Sequence, residues 1–179
     1  MLRLTERLGP IEASQADDTL TLPFELRIRG RLRAESDSGR ELGLFLDRGP
    51  VLRDGEGLRA ESGEVVRIRA AVEPVVTARI HPGLPLARLA YHLGNRHVQL
   101  ALGEDDQASP GQRGFVRFPP DHVLEELATL LGATLVHHEA PFDPESGAYS
   151  QVGHTHAHSH SHAQGHEHHD HAPDDHHAH

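Results

Sequence analysis

Residues 74–105 decide the fold of the second half of the chain: PVVTARIHPGLPLARLAYHLGNRHVQLALGED. Their first part alternates between apolar and polar side chains, which is typical of a strand with one buried face. After the turn HPGLP, apolar residues recur at the spacing of one helical face: Leu86, Leu89, Ala90 and Leu93. From His97 to Asp105 the alternation returns. The stretch therefore predicts a strand, a helix and a second strand.

The boundaries of this helix and the elements that follow are also visible in the sequence. Pro85 stands near the helix start, and Gly94 occupies a position at which glycine commonly ends a helix. GFVRF, residues 114–118, predicts a third strand. ATLVHHEA, residues 133–140, predicts a fourth.

A second helix lies between these last two strands. Asp121 is a suitable N-cap, and Gly132 is expected to end the helix. Apolar residues again share one face: Leu124, Leu127, Ala128 and Leu131. Residues 74–140 thus follow the order β-α-β-β-α-β, which predicts a ferredoxin-like domain with both helices on one sheet face.

Residues 1–73 show the pattern of strands and turns. TLTLPFELRIRGRLRAE, residues 19–35, places apolar residues at alternate positions: Leu20, Leu22, Phe24, Leu26 and Ile28. Pro23 interrupts this run and indicates an edge strand or a bulge. Further strands are predicted in ELGLFLD, PVLRDG and EVVRIRAAVE, with turn residues between them. This half predicts a small all-β domain, and the whole chain belongs to the α+β class.

The chain ends in a histidine-rich segment. Residues 141–153, which begin PFDPESGAY, predict a turn-rich linker. Residues 154–179 read HTHAHSHSHAQGHEHHDHAPDDHHAH and contain no Leu, Ile, Val, Phe or Met. Such a segment cannot build a hydrophobic core, so we expect it to be disordered without a ligand. Its histidines are interleaved with other residues, unlike the unbroken run of a purification tag, which favours a native metal-binding tail.

The composition excludes several classes of protein. All 17 basic residues are Arg, and 27 acidic residues leave a net charge of −10. Nucleic-acid-binding proteins instead carry a basic patch or stripe. The chain has no Cys, so thiolate metal sites are impossible. With no apolar run long enough to span a bilayer and no secretory signal in MLRLTERLGP, we expect a cytoplasmic protein that binds neither nucleic acid nor membranes.

Divalent metal ions are the ligands that this composition favours. The tail offers the following imidazoles: His154, His156, His158, His160, His162, His166, His168, His169, His171, His176, His177 and His179. Imidazole suits Ni(II), Zn(II) and Cu(II), and it is mostly neutral at pH 7. Many neighbouring, exchangeable ligands favour collection and transfer of ions, because a catalytic metal needs a fixed geometry.

His97 is the candidate for a more specific site. It begins the second predicted strand, whose Val98, Leu100 and Leu102 are expected to face the helices. The imidazole of His97 is then expected to point to the open face of the sheet. An open sheet face is a natural dimer surface, and a two-fold axis near His97 would bring two imidazoles together. A tail histidine would complete the site.

The other histidines carry weaker signals. His92 is explained by the negative end of the helix dipole. His122, in the first turn of the second helix, is expected to be an exposed surface residue. His137 and His138 are adjacent on a strand and are expected to face opposite sides. The chain shows no phosphate loop, nucleophile elbow or HExxH motif, so no enzyme is predicted.

Taken together, these motifs resemble the UreE family of urease accessory proteins. YHLGNRHVQL, DHVLEELATLLG, PFDPESGAY and the His-rich end occur in the order of that family, and GLFLDRGPVLRDGE is similar to its first half. The resemblance covers essentially the whole chain. The GNRH and PFxPExGAY boxes are specific in combination, whereas other nickel-handling proteins also have a His-rich end.

The resemblance implies a homodimeric nickel metallochaperone. Its N-terminal β domain is expected to look like a peptide-binding domain, and its ferredoxin-like domain to bind Ni(II) through His97 of two protomers. His154 or His156 is expected to complete that site. Some family members carry a further His pair at the second helix; here His122 is present, but Pro120 occupies the partner position. The implied partners are the urease apoprotein and other urease accessory proteins, including a GTPase.

Two alternatives remain open at this point. The protein could store or buffer divalent metal through its tail, without a dedicated delivery target. It could also be a metal-dependent enzyme, although no fixed set of three ligands is visible before the tail.

Overall fold

The computed structural model of the chain describes residues 1–146. In this part of the chain, one sheet of six strands and one sheet of four strands are accompanied by three α-helices. The predicted tail, residues 154–179, and the later part of the predicted linker lie outside the described residues. Among the helices of residues 1–146, none has the length and apolar character required to cross a membrane.

The six-stranded sheet forms the N-terminal half and is barrel-like. Its strands are β1 (Leu2–Pro10), β2 (Asp18–Leu22), β3 (Arg31–Glu35), β4 (Glu41–Phe45), β5 (Glu56–Ala60) and β6 (Val65–Ala70). Their spatial order is β2-β6-β5-β1-β4-β3. β1 and β4 pair in parallel, as do β2 and β6, and the other neighbours are antiparallel. The two edge strands approach each other where the N–H of Asp37 donates to the carbonyl of Thr19 at 2.8 Å.

Aliphatic side chains from the strands fill the interior of this half. The alternation that the sequence shows along β2, β4 and β6 places their apolar residues on the inner face. The buried cluster comprises Leu4, Leu20, Leu22, Leu42, Leu44, Leu46, Leu52, Leu58, Ala60, Val66 and Ile68. Of the alternating residues that the sequence indicates over residues 20–28, Leu20 and Leu22 belong to this core, whereas Ile28 is 55% exposed.

The predicted strand over residues 19–35 is wrong in its middle. β2 ends before Pro23, and a short helix, α1 (Phe24–Arg27), separates β2 from β3. Proline supplies no N–H to a ladder, and its φ of −67° suits the residue before a helix. The N–H of Phe24 donates to the carboxylate of Glu73 at 3.1 Å instead of to a neighbouring strand.

The strand predicted in PVLRDG, residues 50–55, is also wrong. This segment is irregular, although Leu52 is fully buried. The N–H of Leu52 donates to the carbonyl of Arg27 at 3.1 Å, so the segment is bonded to α1 rather than to a strand. The ladder resumes in β5, after a turn in which Gly55 has a φ of +80°. The two apolar residues in PVLRDG belong to an irregular loop that is partly buried. Two apolar residues are too few to show the alternation of a strand.

The four-stranded sheet and two helices form the second half. The elements are β7 (Val72–Ile80), α2 (Leu84–Gly94), β8 (Ala101–Glu104), β9 (Gly114–Phe118), α3 (His122–Leu130) and β10 (Thr134–Pro141). The predicted order β-α-β-β-α-β is confirmed. The strands lie in the order β10-β7-β9-β8, and all neighbours are antiparallel.

Both helices pack on the same face of this sheet, as the sequence predicts. Their buried side chains Leu89, Leu93, Leu124 and Ala128 join sheet residues such as Val116 in one hydrophobic core. The opposite face carries the alternate residues of each strand, so no helix covers it in the described part of the chain.

The boundaries of α3 are confirmed, whereas those of α2 and β8 differ from the prediction. The carboxylate of Asp121 accepts from the N–H groups of Val123 at 2.9 Å and Leu124 at 3.1 Å, and Gly132 has a φ of +90°. Gly94 is the last helical residue of α2 rather than the residue that stops it. β8 begins only at Ala101, so His97 does not begin a strand.

Candidate functional site

The chain makes a tight turn after α2, and this turn presents His97. The N–H of Asn95 still donates to the carbonyl of Tyr91 at 3.0 Å, in the helical pattern. The next two bonds span one residue fewer: the N–H of Arg96 donates to the carbonyl of Leu93 at 3.1 Å, and that of His97 to Gly94 at 2.9 Å. Such tightening is common in the last turn of a helix. It leaves the side chain of His97 exposed at the end of α2.

The backbone of His97 is strained. Its φ is 57°, and it is the only non-glycine residue with a positive φ among residues 1–146. The left-handed conformation costs a residue with a Cβ atom about 1–2 kcal/mol, so Gly or Asn usually occupies such positions. Such strain persists where the surrounding structure imposes it, and it concentrates at functional sites. This observation marks His97 as a candidate functional residue independently of its sequence motif.

The environment of His97 differs from the predicted one. The prediction that His97 begins a strand is wrong, so the alternation of β8 does not set the direction of its imidazole. The nearest helix presents an exposed surface instead: Leu84 and Tyr91, both on α2, are 63% and 64% exposed. The ring of Tyr91 contacts that of His92 edge-on, with 5.3 Å between the ring centroids. His97 thus follows directly on an exposed, partly apolar helix surface.

No other histidine of residues 1–146 joins His97 in a group of three or more side chains that could hold a metal ion. His122 is exposed at the start of α3, as predicted. His137 and His138 face opposite sides of β10, as predicted. The Nε2 atom of His137 lies 2.9 Å from a carboxylate oxygen of Glu125, on the helix side. His81 is exposed in the turn before α2.

His138 belongs to a polar group on the open sheet face. Its Nε2 atom lies 2.8 Å from the hydroxyl of Thr77, which also accepts from the Nε of Arg117 at 2.9 Å. Burial, and then the positive charges of Arg117 and Arg79, lower the pKa of His138. Burial, and then Arg79, likewise lower the pKa of Arg117. These neighbours disfavour a positive charge on His138.

Residues 1–146 contain no group of three or more His, Cys, Asp or Glu side chains close enough to share one metal ion. The twelve candidate ligands of the tail lie outside the described residues: His154, His156, His158, His160, His162, His166, His168, His169, His171, His176, His177 and His179. A metal ion held by His97 must therefore draw further ligands from a second protomer, from solvent or from residues beyond 146.

The structure also brings together residues to which the sequence assigns no role. Residues 142–145 contact both halves of the molecule. The carboxylate of Asp143 accepts from the buried guanidinium of Arg27 at 2.8 Å. The N–H of Glu145 donates to the carbonyl of Leu100 at 2.8 Å. The sequence shows Asp143 as one residue of a turn-rich box, and nothing in the local pattern indicates a partner 116 positions away.

Family models cover nearly the whole chain. The model of the UreE urease accessory protein, N-terminal domain, matches residues 4–71. The model of the UreE urease accessory protein, C-terminal domain, matches residues 73–179. The chain belongs to the UreE family.

Individual UreE relatives are similar over most of their length. The urease accessory protein UreE of Marinobacter nauticus is 64% identical over 162 residues, which is 87% of each chain. That of Pseudoalteromonas translucida is 65% identical over 153 residues, covering 86% of this chain and 88% of the relative. That of Alkalilimnicola ehrlichii is 52% identical over 149 residues, covering 83% of this chain and 85% of the relative. The family predicted from the sequence motifs is confirmed.

Proposed function

We propose that this protein is a nickel metallochaperone, which binds Ni(II) and delivers it for assembly of the urease active site. Membership of the UreE family of urease accessory proteins carries this proposal and supports a role in urease maturation. The exposed, strained His97 in the turn after α2 supports it at the level of the site. The role is carriage of an ion, and we assign no catalytic step to the protein.

The proposed nickel site combines His97 from two protomers with a tail histidine, His154 or His156. Neutral imidazole is a suitable ligand for Ni(II), and also for Zn(II) and Cu(II), which we expect to bind as competing ions. The remaining tail histidines collect further ions in this proposal. Pro120 occupies the position at which some family members carry the partner histidine of His122, so we assign no second site to α3.

The homodimer is part of the same proposal, with a different surface from the one that the sequence indicated. A pair of His97 side chains meets across a two-fold axis only if that axis passes near the end of α2. The exposed Leu84 and Tyr91 share one face of α2, at i and i+7, and offer apolar surface next to His97. We therefore place the dimer contact on α2 rather than on the open sheet face.

The remaining parts of the proposal concern organisation and partners. Residues 1–73 form the β domain, residues 74–140 the ferredoxin-like metal-binding domain, residues 141–153 a linker and residues 154–179 the tail. The partners are the urease apoprotein and other urease accessory proteins, including a GTPase, in the cytoplasm. The order of strands in the second sheet, with both helices on one face, supports the ferredoxin-like assignment.

The substitution His97→Ala tests the proposed site. We expect the full-length variant to lose the tightest nickel site and to retain weaker sites in the tail, as measured by isothermal titration calorimetry. The matched control is His81→Ala, which removes another exposed histidine of the body. Unchanged tight binding in His97→Ala would exclude His97 as a ligand.

A further inference from the structure

We propose that Arg27, Arg53 and Asp143 form a clamp that fixes the point at which the C-terminal residues leave the folded body, beside the turn that carries His97. This inference rests on the proposed nickel site at His97. The three residues of the clamp position the tail and do not bind nickel themselves. A change at a residue that is not a ligand should therefore alter the contribution of the tail to nickel binding.

Arg27 anchors the clamp in the N-terminal half. Its side chain is fully buried. One guanidinium nitrogen donates to the carbonyl of Leu52 at 2.9 Å and to the carboxylate of Asp143 at 2.8 Å. A second guanidinium nitrogen donates to the carbonyl of Phe142. A buried charge is tolerated only when it is paired and hydrogen-bonded, and Asp143 supplies the opposite charge. If residues 142–143 were released, the buried charge of Arg27 would lose the opposite charge of Asp143. The arrangement in which residues 142–143 contact Arg27 is therefore favoured.

Arg53 and an aromatic pair hold the same segment from two further sides. The Nε of Arg53 lies 3.4 Å from the carboxylate of Asp143, and another of its nitrogens donates to the carbonyl of Pro144. Phe142 is 1% exposed, and its ring packs edge-on against Phe24 of α1, with 5.3 Å between the centroids. Charge, hydrogen bonds and apolar burial thus act together on residues 142–144.

The other side of the segment meets the loop that follows His97. The N–H of Glu145 donates to the carbonyl of Leu100, three residues after His97, at 2.8 Å. Gln99 lines one cavity together with Arg53 and Glu145. Residues 142–145 therefore lie between the N-terminal half and the turn that carries the candidate ligand.

Chain length makes this anchor point relevant to the nickel site. Eight residues lie between Glu145 and His154, and the nine steps from one Cα atom to the next span at most roughly 30 Å. Without the clamp the last anchored residue is Pro141, so the linker to His154 grows to twelve residues. Effective concentration falls with about the −3/2 power of linker length, which gives a loss of about twofold. Losing the anchor beside Leu100 adds to this loss, so we expect a total effect of about two- to tenfold.

The test compares Asp143→Arg in two proteins, the full chain and a chain truncated after Tyr149. Arginine at position 143 repels both Arg27 and Arg53 and should release the segment. In the full chain we expect the first nickel ion to bind about two- to tenfold more weakly by calorimetry. X-ray absorption spectroscopy should then count fewer imidazoles per nickel at one ion per dimer. In the truncated chain, the substitution should change neither value.

A matched control removes the effect of net charge. Glu64→Arg makes the same change in net charge as Asp143→Arg. It also removes an ion pair, because the carboxylate of Glu64 accepts from Arg40 at 2.7 Å, and it touches no residue of the clamp. It should leave nickel binding unchanged in the full chain. The truncation itself removes no residue of either hydrophobic core, because both cores lie within residues 2–135.

The outcomes distinguish a failure of the clamp proposal from a failure of the proposed function. Circular dichroism establishes that each variant folds, and the nearly isosteric Asp143→Asn carries the test if Asp143→Arg does not fold. Native nickel affinity and an unchanged imidazole count in the full-length variant would overturn the clamp. So would an equal loss in the truncated chain, which would indicate a general structural role. If instead His97→Ala leaves tight binding intact, the proposed site itself fails.

Discussion

At the scale of single residues, hydrogen bonds of two side chains have measurable consequences. Asp121 satisfies two N–H groups at the start of α3, and His138 is bonded to the hydroxyl of Thr77 on the open sheet face. Neither residue is a proposed nickel ligand. Their effects can therefore be measured as changes in the free energy of unfolding, without the metal.

The N-cap of α3 gives the first prediction. In Asp121→Ala the N–H groups of Val123 and Leu124 lose their acceptor. We expect the free energy of unfolding to fall by about 1 kcal/mol, the usual cost of removing an N-cap side chain. Urea denaturation measures the change. Asp121→Asn keeps an acceptor and should cost less; an equal loss in both variants would contradict the capping role.

His138 gives a prediction about pH. Burial, and then the charges of Arg117 and Arg79, lower the pKa of His138 in the folded protein. In the unfolded chain, His138 therefore takes up its proton at a higher pH than it does in the folded chain. The stabilising effect of a neutral His138 is therefore complete above about pH 6.5, the unfolded pKa, and decreases as the pH falls towards the folded pKa. His138→Gln should consequently lose less stability than the native protein between pH 7.5 and pH 5, about the window of histidine titration.

Urea denaturation at both pH values, on chains truncated after Tyr149, measures this difference. The truncation removes the tail histidines, which titrate in the same range. The control is His122→Gln, a matched substitution of an exposed histidine on α3. Identical pH dependence in the native protein and in His138→Gln would show that His138 does not contribute.

At the scale of elements, α2 has two faces with different roles. Leu89 and Leu93 are fully buried against the sheet, while Leu84 and Tyr91 are mostly exposed. The buried face follows from the helical spacing that the sequence shows. The exposed pair has no partner in the described part of one chain, and its position before His97 makes it the proposed dimer contact.

The double substitution Leu84→Glu and Tyr91→Glu tests this contact. Burying one large apolar side chain contributes about 1.5–3 kcal/mol, so losing two should weaken dimerisation at least about a hundredfold. Analytical ultracentrifugation over a range of concentrations measures the change. A matched control is the double substitution Val123→Glu and Leu130→Glu, at exposed positions of α3. If only this control weakens the dimer, the contact lies on α3 instead.

At the scale of the whole molecule, the two halves and the C-terminal residues meet at one junction. Residues 142–145 contact α1, the loop before β5 and the segment after His97. The junction holds Glu145 against Leu100, three residues after the proposed ligand His97.

Truncation after Tyr149 gives the prediction at this scale. As a metallochaperone, the truncated protein should keep one Ni(II) per dimer, with lower affinity, and some ability to support urease activation. Nickel stoichiometry by calorimetry and urease activity after co-expression measure both effects. A complete loss of nickel binding would favour the storage hypothesis, in which the tail is the entire binding site.

Local patterns in the sequence predict much of this architecture. The period of apolar residues places α2, α3, β7, β9 and β10, because one buried face imposes one spacing on each element. Asp121 and Gly132 mark the ends of α3 for the same reason: capping groups act within one turn. The family, too, follows from short motifs such as GNRH and PFxPExGAY. The sequence by itself determined these features because the interactions behind them are local.

Only the tertiary structure decided the position of His97 and the role of Arg27. Alternation in HVQLALGED predicts a strand from His97, but hydrogen bonds to the end of α2 hold that residue in a strained turn. Arg27 looks like one residue of a strand, yet it is buried in a helical turn and paired with Asp143, 116 positions away. Contacts between residues so far apart leave no period in the sequence, because the fold alone brings them within reach of each other.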